Sequence, residues 1–315
     1  MYEAFYGLNQ KPFSLTPDPH MLYLSEGHRT VIESILYGIH RREGFMVVTG
    51  EIGTGKTTLC RALMEKLNPE VKTAVIFNSF LTEAGLLSSI LEDFESPVRG
   101  RTKKERIDAL NRFLVDLLSR GKNAVIIIDE AQNLSFPVLE QLRMLSNLET
   151  EKEKMLQIVL LGQLELGKKL QSPKLRQLNQ RIAIRCRLLP LSRKETKAYI
   201  DRRLSMGGAQ RNVTFSKSAL DEIYQFSKGI PRLINLVCDR TLLAGFVGQT
   251  CYIDKAMVKK GRKSLMGTEK ERRVRNPWTL PKRIVQWAIP LLLLMLLFPF
   301  KQTPLTPPFV GRGER

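Results

Sequence analysis

Hydrophobic positions follow two periods along the chain. Up to Pro190, short apolar runs alternate with amphipathic stretches of helical period. GFMVVT, KTAVIFNS, NAVIIIDEAQ and LQIVLLGQ read as strands, and IAIRCRLLPL as a fifth of mixed apolar and basic character. NAVIIIDEAQ is so rich in β-branched residues that both of its faces must be buried, the mark of a strand inside a parallel sheet. Helices are predicted over residues 26–41, in KTTLCRALMEKL, and near 83–94 and 103–119. Strands separated by helices predict an α/β fold, a five-stranded parallel sheet between helical layers. The opening residues form a Pro-containing segment, PFSLTPDPHMLYLS, ahead of the first of these helices.

Beyond Pro190 only the helical period remains. LSRKETKAYIDRRLSMGG begins with Ser192 and Glu195 at capping-box spacing and stops at a glycine pair. SKSALDEIYQFSKGIPRLINLVCDRTLLAG gives two helices split around Gly229 and Pro231, and YIDKAMVKKGRKSL a last one with Asp254 as N-cap. The expected division is a core over residues 1–190 and a smaller helical domain over 191–265. A basic linker, MGTEKERRVRNPWTLPKR (residues 266–283), follows.

Residues 284–300, IVQWAIPLLLLMLLFPF, carry a single polar side chain, Gln286. As a helix this run is about 25 Å long, at the short end of what spans a bilayer core. Trp278 and Trp287 near its boundary and the basic flank favour lipid over a buried core helix. Pro290 and Pro299 imply a kink. The positive block precedes the helix, so the N-terminal bulk is expected on the cytoplasmic side, leaving a tail at 301–315. MYEAFYGLNQKPF lacks the basic start and apolar run of a secretory leader.

Charge and composition narrow the chemistry. The chain of 315 residues carries a net charge of +19. Ten Lys or Arg against Glu269 and Glu271 give residues 259–283 a net of +8 and the tail adds +2, so about half of the excess lies in residues 259–315. A moderately basic domain is left, compatible with nucleic acid. Cys60, Cys186, Cys238 and Cys251 are scattered without metal-site spacing and read as reduced thiols. Three histidines, His20, His28 and His40, leave little material for a histidine-based nucleophile.

The strongest chemical signal follows the first strand. GEIGTGKTT places Gly50, Glu51, Ile52, Gly53, Thr54, Gly55, Lys56, Thr57 and Thr58 in the pattern G-x-x-x-x-G-K-[ST]. Glycines let such a loop turn its N–H groups onto phosphate oxygens, and the helix behind it adds its positive end. Lys56 can reach the β- and γ-phosphates and the Thr57 hydroxyl can ligate Mg²⁺. A second signal is independent. The strand AVIII delivers Asp129 and Glu130 to the same sheet edge, Asp129 toward Mg²⁺ and Glu130 to polarise an attacking water. Gln163, ending LQIVLLGQ, stands beside them. Arg176 and Arg181 precede the last strand, where either could reach a neighbouring subunit's γ-phosphate. Arg232 in GIPRLIN opens a helix from which it could touch the nucleotide.

Together with the opening MYEAFYGLNQKPFSLTPDP, the stretches GEIGTGKTT, IIIDEAQNL, LQIVLLGQLEL, LNQRIAIRCRL and GIPRLIN resemble the general secretion pathway protein A family of AAA+ ATPases, over about residues 1–265. The resemblance implies a five-stranded AAA+ core with a helical lid, ATP and Mg²⁺ as ligands, and an oligomer with nucleotide between subunits. It implies that Arg232 is the lid-borne sensor arginine, that Gln163 fills the sensor position on the fourth strand, and that Arg181 is the arginine finger. Leu164 stands where the family uses proline in GQ-x-EL. The family further implies a bacterial inner-membrane anchor, a peptidoglycan-binding domain beyond it and a partner protein in building an outer-membrane secretin. Only fifteen residues follow the apolar stretch here, so a partner is expected to supply wall binding.

Two readings from different classes stand at this point. One is a membrane-anchored ATPase that drives assembly of a secretion or pilus-type apparatus. The other is a DNA-associated helper ATPase, since the domain also resembles transposition ATPases. The apolar stretch favours the first. A third, weaker reading makes that stretch a docking helix for another protein.

Overall fold

Alternate residues of strand β1 (Phe45–Gly50) point to opposite sides of one sheet, and both sides are apolar. Phe45 and Val47 enter one hydrophobic cluster, Met46 and Val48 the other. The same alternation holds in β3 (Asn123–Ile128) and β4 (Leu156–Gly162), whose interiors are buried throughout. Such strands have no stable solution except between two layers of helices. The computed structural model describes residues 1–16, 21, 23–77, 79–96, 102–149, 153–208 and 213–266. Residues 1–266 form one compact unit.

With β2 (Val71–Ile76) and β5 (Ile182–Leu188) the strands make a five-stranded sheet in the order β2-β3-β4-β1-β5, every pair parallel. Helices α2 (Glu26–His40) and α3 (Lys56–Lys66) pack on one face through Ile32, Ile35, Leu59 and Leu63. On the other face lie α4 (Glu83–Asp93), α5 (Lys103–Ser119) and α6 (Phe136–Leu145), joined by the short helices α7 (Leu164–Leu170) and α8 (Arg176–Gln180). Register fixes the site. Thr49 pairs with Gly162, and Ile128 with Leu160. Gly50, Asp129 and Gln163 therefore leave the sheet at one carboxyl edge, where the order of connections reverses. β5 closes one side with exposed Arg185 and Arg187, a charged edge that discourages further strand pairing.

The lid is built from α9 (Arg193–Met206), α10 (Lys217–Ser227), α11 (Pro231–Val247) and α12 (Lys255–Leu265) around a third cluster. Its caps follow the expected chemistry. Ser192 and Glu195 form a capping box at α9, and the Asp254 carboxylate accepts from Met257 N–H at α12. A two-residue parallel pair, β6 (Thr214–Phe215) with β7 (Tyr252–Ile253), ties the lid's far end.

The opening residues pack with the lid. In α1 (Tyr2–Tyr6) the Tyr2 hydroxyl donates to Asp239 at 2.5 Å and the Tyr6 hydroxyl to the Leu242 carbonyl at 3.0 Å. Phe5 meets Phe246 edge-on, and Asn9 N–H donates to the Gly207 carbonyl. Among the described residues no helix is long and apolar enough to cross a membrane. The basic linker from residue 267, the apolar stretch 284–300 and the tail lie outside the described residues.

Candidate nucleotide-binding site

The loop between β1 and α3 turns through Gly53 at φ +82° and Gly55 at φ +101°, backbone that side chains strongly disfavour. Space is short at both. A Cβ on Gly53 would stand 2.7 Å from Cβ of Arg232, and one on Gly55 would stand 3.0 Å from Nε2 of His28. The Thr54 hydroxyl donates to the Glu51 carbonyl at 2.9 Å and holds the turn. Gly55 caps α3 without a side chain, so the first amides of that helix stay open to an anion.

Lys56 is buried, and its Nζ donates to the carbonyls of Gly50 at 3.1 Å and Glu51 at 2.9 Å. Burial pushes the ammonium below its usual pKa, against the opposing pull of Glu130, Asp129 and Glu165. Neutral acceptors alone balance this cation poorly, and the loop has room for stronger ones. The Thr57 hydroxyl donates to Asp129 Oδ2 at 2.6 Å, while Asp129 Oδ1 accepts from Glu130 N–H at 2.9 Å. A hydroxyl beside a buried carboxylate is an all-oxygen donor set, the kind Mg²⁺ takes when phosphates and waters complete its shell. Among the described residues no three His, Cys, Asp or Glu cluster as a self-sufficient metal site, which a phosphate-borne Mg²⁺ does not need.

Glu130 has φ +51°, the left-handed conformation in a residue other than glycine. Its Oε2 accepts from Gln132 Nε2 at 2.5 Å and from Gln163 Nε2 at 3.1 Å. Gln132 in turn accepts Gln163 N–H through Oε1 at 3.0 Å, and Lys169 Nζ donates to the carbonyls of Gln132 and Leu134. Ser79 donates to the Glu130 carbonyl at 2.9 Å. Two side-chain amides thus hold one carboxylate oxygen, and Ser79 holds the backbone beneath it.

The loop from Ile52 to Thr58, with Glu130 and Gln163, lines a cavity of about 330 Å³. Met21, Tyr23, Leu191, Tyr199 and Arg203, none of them from the glycine loop, line it as well. Arg232 lines it too, its N–H donating to the Gly53 carbonyl at 3.3 Å. The structure therefore brings together the loop from Gly50 to Thr58, Asp129, Glu130, Gln163 and Arg232. It does not bring in Arg176, exposed on α8, or Arg181. Arg181 precedes β5 at the sheet's opposite edge, about 20 Å from its own loop across six strand residues. Its Nη1 bonds Ser146 Oγ at 3.2 Å and Asn147 Oδ1.

Several site residues were not legible as such. Gln132 sits inside the quoted motif DEAQ, yet its role as bridge depends on the turn after β3. His28 lies on α2 with Nδ1 at 2.7 Å from Ser25 Oγ, the N-cap of its own helix. Burial lowers its pKa, so the ring under Gly55 is neutral. Tyr199, Arg203 and Asn235 reach the cavity from the lid, and nothing in the helical period distinguishes them from other buried positions.

Residues 39–170 match the family model of an AAA domain. Over 247 residues the chain is 46% identical to General secretion pathway protein A of Aeromonas hydrophila, a match covering 78% of this chain and 45% of that protein. The chain thus spans less than half the length of this relative. Among solved structures, Cdc6p from Pyrobaculum aerophilum superposes with a TM-score of 0.60 at 18% identity, covering 80% of this chain and 70% of that one. The Aeropyrum pernix ORC2 protein superposes with a TM-score of 0.58 at 17% identity, covering 80% and 71%. At such identities these two bear on the fold alone, and the fold is that of the AAA+ P-loop ATPases.

Proposed function

As the chain carries an AAA domain and is a homologue of general secretion pathway protein A, we propose that it is a membrane-anchored, ATP-hydrolysing AAA+ protein that drives assembly of an envelope secretion or pilus-type apparatus. The observation that carries the catalytic half is the convergence of Lys56, Thr57, Asp129 and Glu130 at the glycine loop. In this reading the loop amides and Lys56 bind the phosphates. Glu130 takes the proton of the attacking water, and Gln163 orients that water or the γ-phosphate. Arg232 senses the nucleotide from the lid. Thr57 and Asp129 would hold Mg²⁺, which when bound neutralises charge on the phosphates.

The envelope half of the reading rests on the relative's name and on residues 284–300 as the inner-membrane anchor, with the ATPase on the cytoplasmic side. An envelope partner and assembly into a ring of like subunits complete the proposal. The DNA-helper alternative has no specific support: the likeness to origin-recognition proteins is one of fold, and the 46% identity is to a secretion-pathway protein.

ATP turnover by the full chain in detergent tests the site. Lys56→Ala should abolish tight nucleotide binding, whereas Glu130→Gln should keep binding and stall hydrolysis. Turnover that survives Glu130→Gln would remove Glu130 from the chemistry, and ATP binding that survives Lys56→Ala would remove the loop.

A further inference from the structure

Phosphates at the glycine loop would leave the remaining walls of the cavity for the rest of the nucleotide. There, Arg203 on α9 stands on the wall with Met21, Tyr23, Leu191 and Tyr199. Its side chain is an anomaly. The residue is only 6% exposed, and its partners among the described residues, the Ser14 carbonyl and Tyr199, are neutral. One guanidinium N–H is spent on a neutral acceptor, Nη2 donating to the Ser14 carbonyl at 2.9 Å. The Nε is buried without any partner. The guanidinium carbon lies 5.6 Å from the centre of the Tyr199 ring, and the Tyr199 hydroxyl, which donates to Asn235 Oδ1 at 2.8 Å, offers Arg203 another neutral acceptor. A buried cation so poorly compensated is costly unless something else satisfies it, and a mere packing role would be filled better by an apolar side chain.

We propose that Arg203 is a base-contacting specificity residue of the nucleotide site. Its planar guanidinium, already stacked on Tyr199, donates to acceptor nitrogens of a purine held between the aromatic wall and the opening segment. Five fixed donors and no acceptor suit it to a ring edge rich in lone pairs. Because Ser14 is its second partner, the same side chain connects the base to the segment that runs from α1 past the cavity. Filling the cavity thereby draws lid and opening segment onto one ligand. The inference rests on the nucleotide reading of the glycine loop, and it extends that reading to the walls of the cavity that the loop does not form.

The test compares ATP with inorganic tripolyphosphate, which occupies the loop but carries no base, by calorimetry on the full chain in detergent. Arg203→Met keeps the bulk and removes the donors. It should weaken ATP about ten- to a hundredfold, the scale of a lost hydrogen bond to a charged group, and leave tripolyphosphate unchanged. Arg203→Lys, which keeps the charge but not the fork, should recover ATP affinity only in part. Equal weakening of both ligands, or of neither, would overturn the assignment. Should Arg203→Met fail to fold, the Arg203 Nε–H resonance of the unaltered protein decides: it should move with ADP and stay put with tripolyphosphate, and a response to both or to neither overturns the proposal. Lys56→Ala separates the two readings, since it should cost both ligands. If the unaltered protein binds neither, the nucleotide reading falls and Arg203 falls with it. If it binds both with equal affinity, Arg203 falls alone.

Discussion

Glu130 is held in left-handed backbone by the turn after β3, and strain of that kind costs about 1–3 kcal/mol. The surrounding contacts sustain it: Asp129 receives its N–H, Ser79 its carbonyl, and the amides of Gln132 and Gln163 its carboxylate. Gln132 touches no part of the glycine loop yet bridges the side chain of Glu130 and the backbone of Gln163. Gln132→Ala should therefore lower turnover on the order of a hundredfold through misplacement of Glu130, with ATP affinity unchanged. Steady-state kinetics beside calorimetry checks this, and loss of both together would make Gln132 a folding residue instead. His28 gives a pH signature. Its folded pKa lies below the ordinary 6.5 because of burial, so the unfolded chain binds the proton more readily. Stability from this residue is fully present above 6.5 and declines as pH falls through the window down to the folded value. Urea denaturation across that window should show the slope, and His28→Gln should flatten it.

At the scale of elements, the corner between α10 and α11 carries a structural demand as sharp as any in the site. Gly229 has φ +78°, and a Cβ there would lie 1.9 Å from the carbonyl oxygen of Leu191, a backbone atom that has nowhere to go. Its own carbonyl accepts Leu191 N–H at 2.9 Å, which fastens the start of the lid to the turn that presents Arg232. Gly229→Ala should cost about 3 kcal/mol or more in denaturant titrations and weaken nucleotide binding with it. Most elements were legible because their signals are local. The three buried strands β1, β3 and β4 show as continuous apolar runs, and α5, α9 and α12 announce themselves by N-caps at Thr102, Ser192 and Asp254. Short elements carry no such signal. α1, α7 and α8 span seven residues or fewer, and β6 and β7 two each, too little for a period to register. α6 is longer, yet no helix was expected there: it opens with Phe136 and Pro137 a few residues beyond the turn at Glu130. The glycine loop, Asp129 and Glu130 were legible in sequence because strand ends and loop spacing are short-range facts. The cavity's other walls were not, since Met21, Tyr199 and Arg203 meet only through the packing of lid on core.

At the scale of the whole molecule, Arg181 is the residue on which the proposed assembly of subunits can be tested. It lies at the opposite edge of the sheet from its own loop and is parked against Ser146 and Asn147. The proposed ring of subunits would set that edge against the neighbour's cavity. Arg181→Ala should then cost about 10³–10⁵ in turnover. Mixing it with Lys56→Ala should restore part of the activity, because mixed rings contain sites with an intact loop and an intact neighbour. Absence of rescue would place Arg181 outside any shared site.

The opening helix has a consequence for how the chain comes into being. Tyr2 finds Asp239 at a separation of 237 residues, and Tyr6 reaches Thr250 at 244. A ribosome releases the first residues long before their partners, and domains close in order of synthesis. The sheet can therefore condense while Tyr2, Phe5 and Tyr6 still trail from a half-made molecule, uncovered and apolar. Completing the lid cluster requires α1 to dock on α11 after that helix has been made. Until α11 is in place Tyr2, Phe5 and Tyr6 lack the partners that bury them, so a short aromatic stretch stays uncovered until the lid is complete.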